Sequence, residues 1–149
     1  MVVPGSGARA NPILLLDTHV LVWLMEGTQL LGRRAKEAIL RASREDGILV
    51  SAITPWEVGL LVSKNRLTLD RDALEWVQSA LRLPGLRLAG LSAEVSVAST
   101  RLPWEMDADP ADRILAATAR HLGAVLVTAD EKLLEYSDRK HFYALDARV

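Results

Sequence analysis

The stretches Ile13-Leu14-Leu15-Leu16-Asp17 and Ala124-Val125-Leu126-Val127-Thr128-Ala129-Asp130 decide the fold. Each is short, apolar and unbroken, the pattern of a strand covered on both faces rather than one with a wet side. Each ends in an aspartate. The carboxyl end of a buried parallel strand is where open α/β sheets bind their ligands.

Working outward, the apolar periodicity alternates between strand and helix. Strands are expected at 12–16, 47–51, 86–88, 124–128 and 142–145, and helices at 18–26, 32–45, 54–65, 72–81, 92–101, 113–121 and 131–136. Alternation of this kind predicts an α/β fold, a three-layer α/β/α sandwich with a mainly parallel central sheet. Two helix starts carry explicit signals. Thr54-Pro55-Trp56-Glu57 reads as a capping box with Thr54 as cap and proline at the first helical position. Asp109-Pro110-Ala111-Asp112 repeats the cap-and-proline opening, and Gly123 closes the same helix.

Four acids therefore fall where a strand gives way to a helix: Asp17, Glu57, Asp112 and Asp130. Each has a purely structural explanation, since carboxylates cap helices and complement the helix dipole. That role is worth about 0.5–2 kcal/mol per site. Together they imply more. Strand carboxyl ends share one edge of a parallel sheet, so the acids must converge, and converging carboxylates raise one another's pKa unless a cation neutralises them. An all-oxygen donor set suits Mg²⁺ or Mn²⁺ better than zinc. The chemistry such a site supports is hydrolysis of a phosphodiester. His19 is expected to point away from Asp17, and His121 and His141 are read as structural.

Composition narrows the field. A chain of 149 residues fits one domain, with residues 1–11, rich in small residues, read as a flexible leader and 12–149 as the folded unit. No cysteine is present, which excludes disulfides and thiolate metal sites and suits a cytoplasmic setting. A formal net charge of −1 gives no global attraction for nucleic acid, so polyanion binding must rest on local basic patches or a metal. No apolar run approaches a membrane span.

The segments at 15–23 (Leu-Leu-Asp-Thr-His-Val-Leu-Val-Trp), 51–58 (Ser-Ala-Ile-Thr-Pro-Trp-Glu-Val), 109–119 (Asp-Pro-Ala-Asp-Arg-Ile-Leu-Ala-Ala-Thr-Ala) and 126–130 (Leu-Val-Thr-Ala-Asp) resemble PIN-domain ribonucleases, most of all the VapC-type toxins of bacterial toxin–antitoxin pairs. The resemblance runs from Ile13 to Leu145 in order and spacing. It implies a Mg²⁺- or Mn²⁺-dependent endoribonuclease with Asp17, Glu57 and Asp112 as primary ligands and Asp130 holding a second metal or a water. It further implies that Thr128 sits near the site, orienting a carboxylate or water or simply capping. Asp109 belongs to the motif as a cap, and Arg113 braces the site, touches phosphate or forms an ordinary salt bridge. RNA as substrate, a cognate antitoxin and a homodimer follow from the same resemblance. The leader before Asp17 is the one departure from the family pattern.

Surface expectations are less specific. Trp23, Trp56 and Trp76 recur with apolar residues at helical spacing and are expected in the core, while Trp104 is a candidate for base stacking at the site entrance. Arg33, Arg34, Lys36, Arg41, Arg44, Lys64 and Arg66 form solvated helix faces or contact RNA backbone. The run Val58-Gly59-Leu60-Leu61-Val62 is either core or antitoxin surface. Two rival readings use the same acids: a phosphatase with Asp17 as nucleophile, and a receiver-like module whose acidic pocket accepts phosphate. The first wants an acid where His19 stands. The second wants a phosphate-contacting lysine, for which Lys132 is the candidate.

Overall fold

A computed structural model describes residues 11–103, 105 and 109–149. Five strands form one sheet: β1 (Leu14–Leu16), β2 (Ile48–Ser51), β3 (Leu86–Ala89), β4 (Val125–Thr128) and β5 (Tyr143–Asp146). They are ordered β3-β2-β1-β4-β5 and every pair is parallel. The helices are α1 (Thr18–Glu26), α2 (Arg33–Ser43), α3 (Ile53–Ser63), α4 (Ala73–Ala80), α5 (Ala93–Thr100), α6 (Pro110–Leu122) and α7 (Glu131–Asp138). The expected three-layer sandwich is observed, and all five strands and seven helices fall where the periodicity puts them.

Alternation along the strands builds two cores. Leu14 and Leu16 of β1 face a cluster with Val20, Ile39, Val50, Val58 and Trp76, under α1 to α4. Leu15 faces the other way, onto Leu115, Ala116, Ala119, Leu126 and Leu133 of α6, β4 and α7. Fully covered strands explain why both runs are apolar up to Thr128.

The strand order also fixes where a ligand can sit. From β1 the chain proceeds outward through β2 to β3, then returns to the other side of β1 as β4. The direction of winding reverses between β1 and β4, and a crevice opens beyond the carboxyl ends of strands at such a point. Asp17 directly follows β1 and Asp130 lies two residues past β4.

Three local expectations are corrected. Helix α3 starts at Ile53, and Thr54 makes no cap; the Ile53 amide instead donates to Ser51 Oγ at 3.1 Å. Pro55 thus occupies the third helical position, still among the amides that have no intrahelical acceptor. Trp56 is 57% exposed, on the outer side of α3. This helix is apolar all round, so its sequence contained no polar face to fix which side turned inward. Of the 58–62 run, Val58 is core and the other four are half-buried. Trp76 is buried as expected, with its indole N–H donating to Glu26 Oε1 at 2.9 Å, and Trp23 is half-buried. Residues 1–10 and Trp104 lie outside the described residues.

Candidate active site

At the β1/β4 switch point a cavity of about 280 Å³ opens. Five carboxylates line it: Asp17, Glu57, Asp109, Asp112 and Asp130. His19, Trp23 and Ala129 complete the described lining. The four predicted acids therefore converge, from just past the ends of β1 and β4, from the N-terminal half of α3 and from the first turn of α6. A larger cavity of about 460 Å³, lined by Leu24, Ile39, Leu40 and Leu86 among others, has no acid or histidine and offers no comparable chemistry.

Asp17 is buried and held from two sides. Its Oδ1 accepts the Thr18 amide at 2.7 Å, closing the N-terminus of α1, and its Oδ2 accepts the Thr128 hydroxyl at 2.7 Å. Burial drives its pKa up, opposed by those two hydrogen bonds and by nearby His19. The Thr128 hydroxyl also accepts the Asp130 amide at 3.0 Å, so a single fully buried oxygen ties Asp17 to Asp130. Asp130 caps α7 as well, its Oδ1 accepting the amides of Lys132 at 2.9 Å and Leu133 at 3.1 Å.

Glu57 is placed by the early start of α3. Thr54 and Glu57 lie three residues apart on one face of that helix and both reach the buried Thr18 of α1. An ionised carboxylate can only accept, so the Thr18 hydroxyl donates to Glu57 Oε1. The Thr54 hydroxyl, 3.1 Å from Thr18 Oγ1, is then the donor of its pair. Burial raises the Glu57 pKa, Thr18 opposes the rise, and the charges of Asp17 and Asp109 add to it.

Asp112 has no such relief. Its pKa is pushed up to about 7, first by burial and then by Asp109, Asp130, Asp17 and Glu57 in turn. Coupling to all four of the other acids is the electrostatic signature of convergence. Asp109 caps α6 as expected, accepting the Asp112 amide at 2.9 Å, and it also lines the cavity. Arg113 is half-buried and is not among the described lining residues.

The sequence reading missed Thr18 and assigned Thr54 a different role. The available signal was the adjacency of Thr18 to the first acid and the three-residue step from Thr54 to Glu57. It also sent His19 away from the site, whereas His19 lines the cavity and its charge favours ionisation of Asp17 and Glu57. Lys132 does not line the cavity, which leaves the receiver reading without its cation.

The donor set fits a hard divalent cation. Every acidic donor is an oxygen, and burial, followed by neighbouring carboxylates, raises the pKa of three of the acids. Among the described residues no three acidic or histidine side chains are gathered into a ready-made cage.

A PIN domain is recognised over residues 14–139. The chain is 35% identical over 120 residues to Ribonuclease VapC22 of Mycobacterium tuberculosis, covering 80% of this chain and 88% of that protein. Among solved structures it is similar to VapBC2 from Rickettsia felis, bound to a promoter DNA fragment, with a TM-score of 0.66 and 17% identity over 89% of this chain and 96% of the other. It is also similar to a toxin–antitoxin complex from Klebsiella pneumoniae, with a TM-score of 0.59 and 22% identity over 90% and 97%. The chain belongs to the PIN-domain family, in its branch of VapC-type ribonuclease toxins. Among the described residues no helix is long and apolar enough to cross a membrane.

Proposed function

We propose that this protein is an endoribonuclease that cleaves RNA phosphodiester bonds with Mg²⁺ or Mn²⁺ held by Asp17, Glu57 and Asp112, with Asp130 holding a second ion or a water. The observation that carries the proposal is the convergence of these acids, from four separate elements, in one cavity at the β1/β4 switch point. When bound, such an ion offsets carboxylate and phosphate charge together and acidifies the attacking water.

The chain's own residues do the rest. Thr128 and the Thr18 amide fix both oxygens of Asp17, and the Thr18 hydroxyl fixes Glu57, so the ligands are held before substrate arrives. Asp109 sets the start of α6 and so directs Asp112. Thr128 belongs to the site through Asp17 and Asp130, while Arg113 stays a candidate phosphate contact or salt-bridge partner outside the cavity lining.

A cognate antitoxin is the second part of the proposal. The Klebsiella pneumoniae neighbour is a toxin–antitoxin complex, and an antitoxin that covers the acidic cleft would hold the enzyme inactive. A homodimer is proposed from the family resemblance.

The test uses protein freed of antitoxin and incubated with RNA in Mg²⁺ or Mn²⁺. Cleavage is expected, and Asp17→Asn or chelation should abolish it while circular dichroism shows an intact fold. Cleavage that survives either treatment overturns the mechanism.

A further inference from the structure

Five acids line the cleft, and no Lys or Arg is among its described lining residues. A metal can answer for one phosphate, but it gives no hold on the nucleotides beside it. Beyond the acids, the described lining is His19, Trp23 and Ala129. Ala129 is small, which leaves His19 and Trp23.

These two lie four residues apart on α1, the spacing that puts side chains on one helical face. His19 is exposed. Trp23 is half-buried, with part of its ring packed on the core cluster beneath α1. The contrast with Trp76 is informative. That residue is 1% exposed and its indole N–H is satisfied by Glu26, as a core tryptophan should be. Trp23 opens into the cleft, and among the described residues its indole N–H has no hydrogen-bond partner.

We propose that His19 and Trp23 form a stacking wall for a nucleobase of single-stranded RNA adjoining the scissile phosphate. The proposal rests on the ribonuclease reading and deepens it by naming what the site takes. A base inside a duplex is already stacked on its neighbours, so a stacking wall selects unpaired RNA. Base stacking on aromatic side chains tolerates any base, so the wall confers preference for a single strand rather than for a sequence.

The experiment measures binding of fluorescein-labelled oligoadenylate, and of the same ribose-phosphate chain lacking bases, by anisotropy with Ca²⁺ in place of Mg²⁺. Trp23→Leu and His19→Ala are expected to weaken oligoadenylate binding, the former by about 5- to 150-fold. Binding of the baseless chain should be unchanged by Trp23→Leu and should fall less than that of oligoadenylate in His19→Ala, and Trp23→Phe should retain most of the oligoadenylate affinity. His19 is exposed, so its removal tests the wall without disturbing the core. Equal losses on both chains, or no loss in either variant, overturns the proposal. Failure of the ribonuclease reading looks different: the unaltered protein then cleaves no RNA in Mg²⁺ or Mn²⁺.

Discussion

One hydroxyl, on Thr128, donates to Asp17 and accepts from the amide of Asp130. Removing it strips a charge-stabilising hydrogen bond from an already buried carboxylate and orphans a backbone donor. Thr128→Val is therefore expected to push the Asp17 pKa further up and to weaken metal affinity or activity about 10- to 100-fold. Thr128→Ser, which keeps the hydroxyl, should restore most of the loss. Titration of Mn²⁺ into the two variants, alongside cleavage rates, checks this; equal behaviour of Val and Ser would show that the hydroxyl is not needed. The same reasoning applies to Thr18, whose hydroxyl is shared between Glu57 and Thr54.

At the scale of the element, α6 shows how a cap and a cleft carboxylate cooperate. Asp109 accepts the Asp112 amide, and its charge also raises the Asp112 pKa. The two effects separate by substitution. Asp109→Ala should lose the cap, at about 1 kcal/mol of stability. Asp109→Asn keeps a capping oxygen without the charge, so its thermal stability should match the wild type while the pKa of Asp112 falls from about 7. Thermal melts and a pH titration of the two variants would distinguish them, and identical melts would refute the capping role. Helix α3 shows the opposite relation of sequence to structure. Its Thr-Pro-x-Glu pattern looks like a capping box, yet the helix begins two residues earlier than that box implies, and the start is served by Ser51. A local motif competes with the strand that precedes it, and here β2 runs almost directly into the helix.

For the whole molecule, three acids with raised pKa make stability depend on pH and metal together. Asp17, Glu57 and Asp112 have pKa values raised by folding, so each binds its proton more tightly in the fold than in the unfolded chain. Below the ordinary carboxylate range both states are protonated and nothing is lost. As pH rises from about 4 towards the folded value, which is about 7 for Asp112, these groups destabilise the metal-free fold progressively. Asp112→Asn in EDTA should thus melt higher than wild type at pH 8 and by a clearly smaller margin at pH 5. Mg²⁺ should raise the wild-type melting temperature more at pH 8, because ligation needs the deprotonated carboxylates. Calorimetry at the two pH values decides it. A wild type that outlasts Asp112→Asn at pH 8 in EDTA would contradict the electrostatic account.

The sequence alone made the layers, the strands and the four acids legible, because short unbroken apolar runs such as Leu14–Leu16, alternating with helical periodicity, read as covered strands, and their ends place Asp17 and Asp130 on one edge. Asp109 as a cap was equally legible, since capping is a local hydrogen bond between near neighbours. Only the tertiary structure decided what depends on contacts distant in the chain. It brought Thr18 to Glu57, and Thr128 to Asp17 from 111 residues away. It turned Trp56 outward on a helix without a polar face, and it turned His19 and Trp23 into the cleft. Periodicity reports that a face is buried or wet. It cannot report which partner the face meets, and in this protein that meeting organises the site.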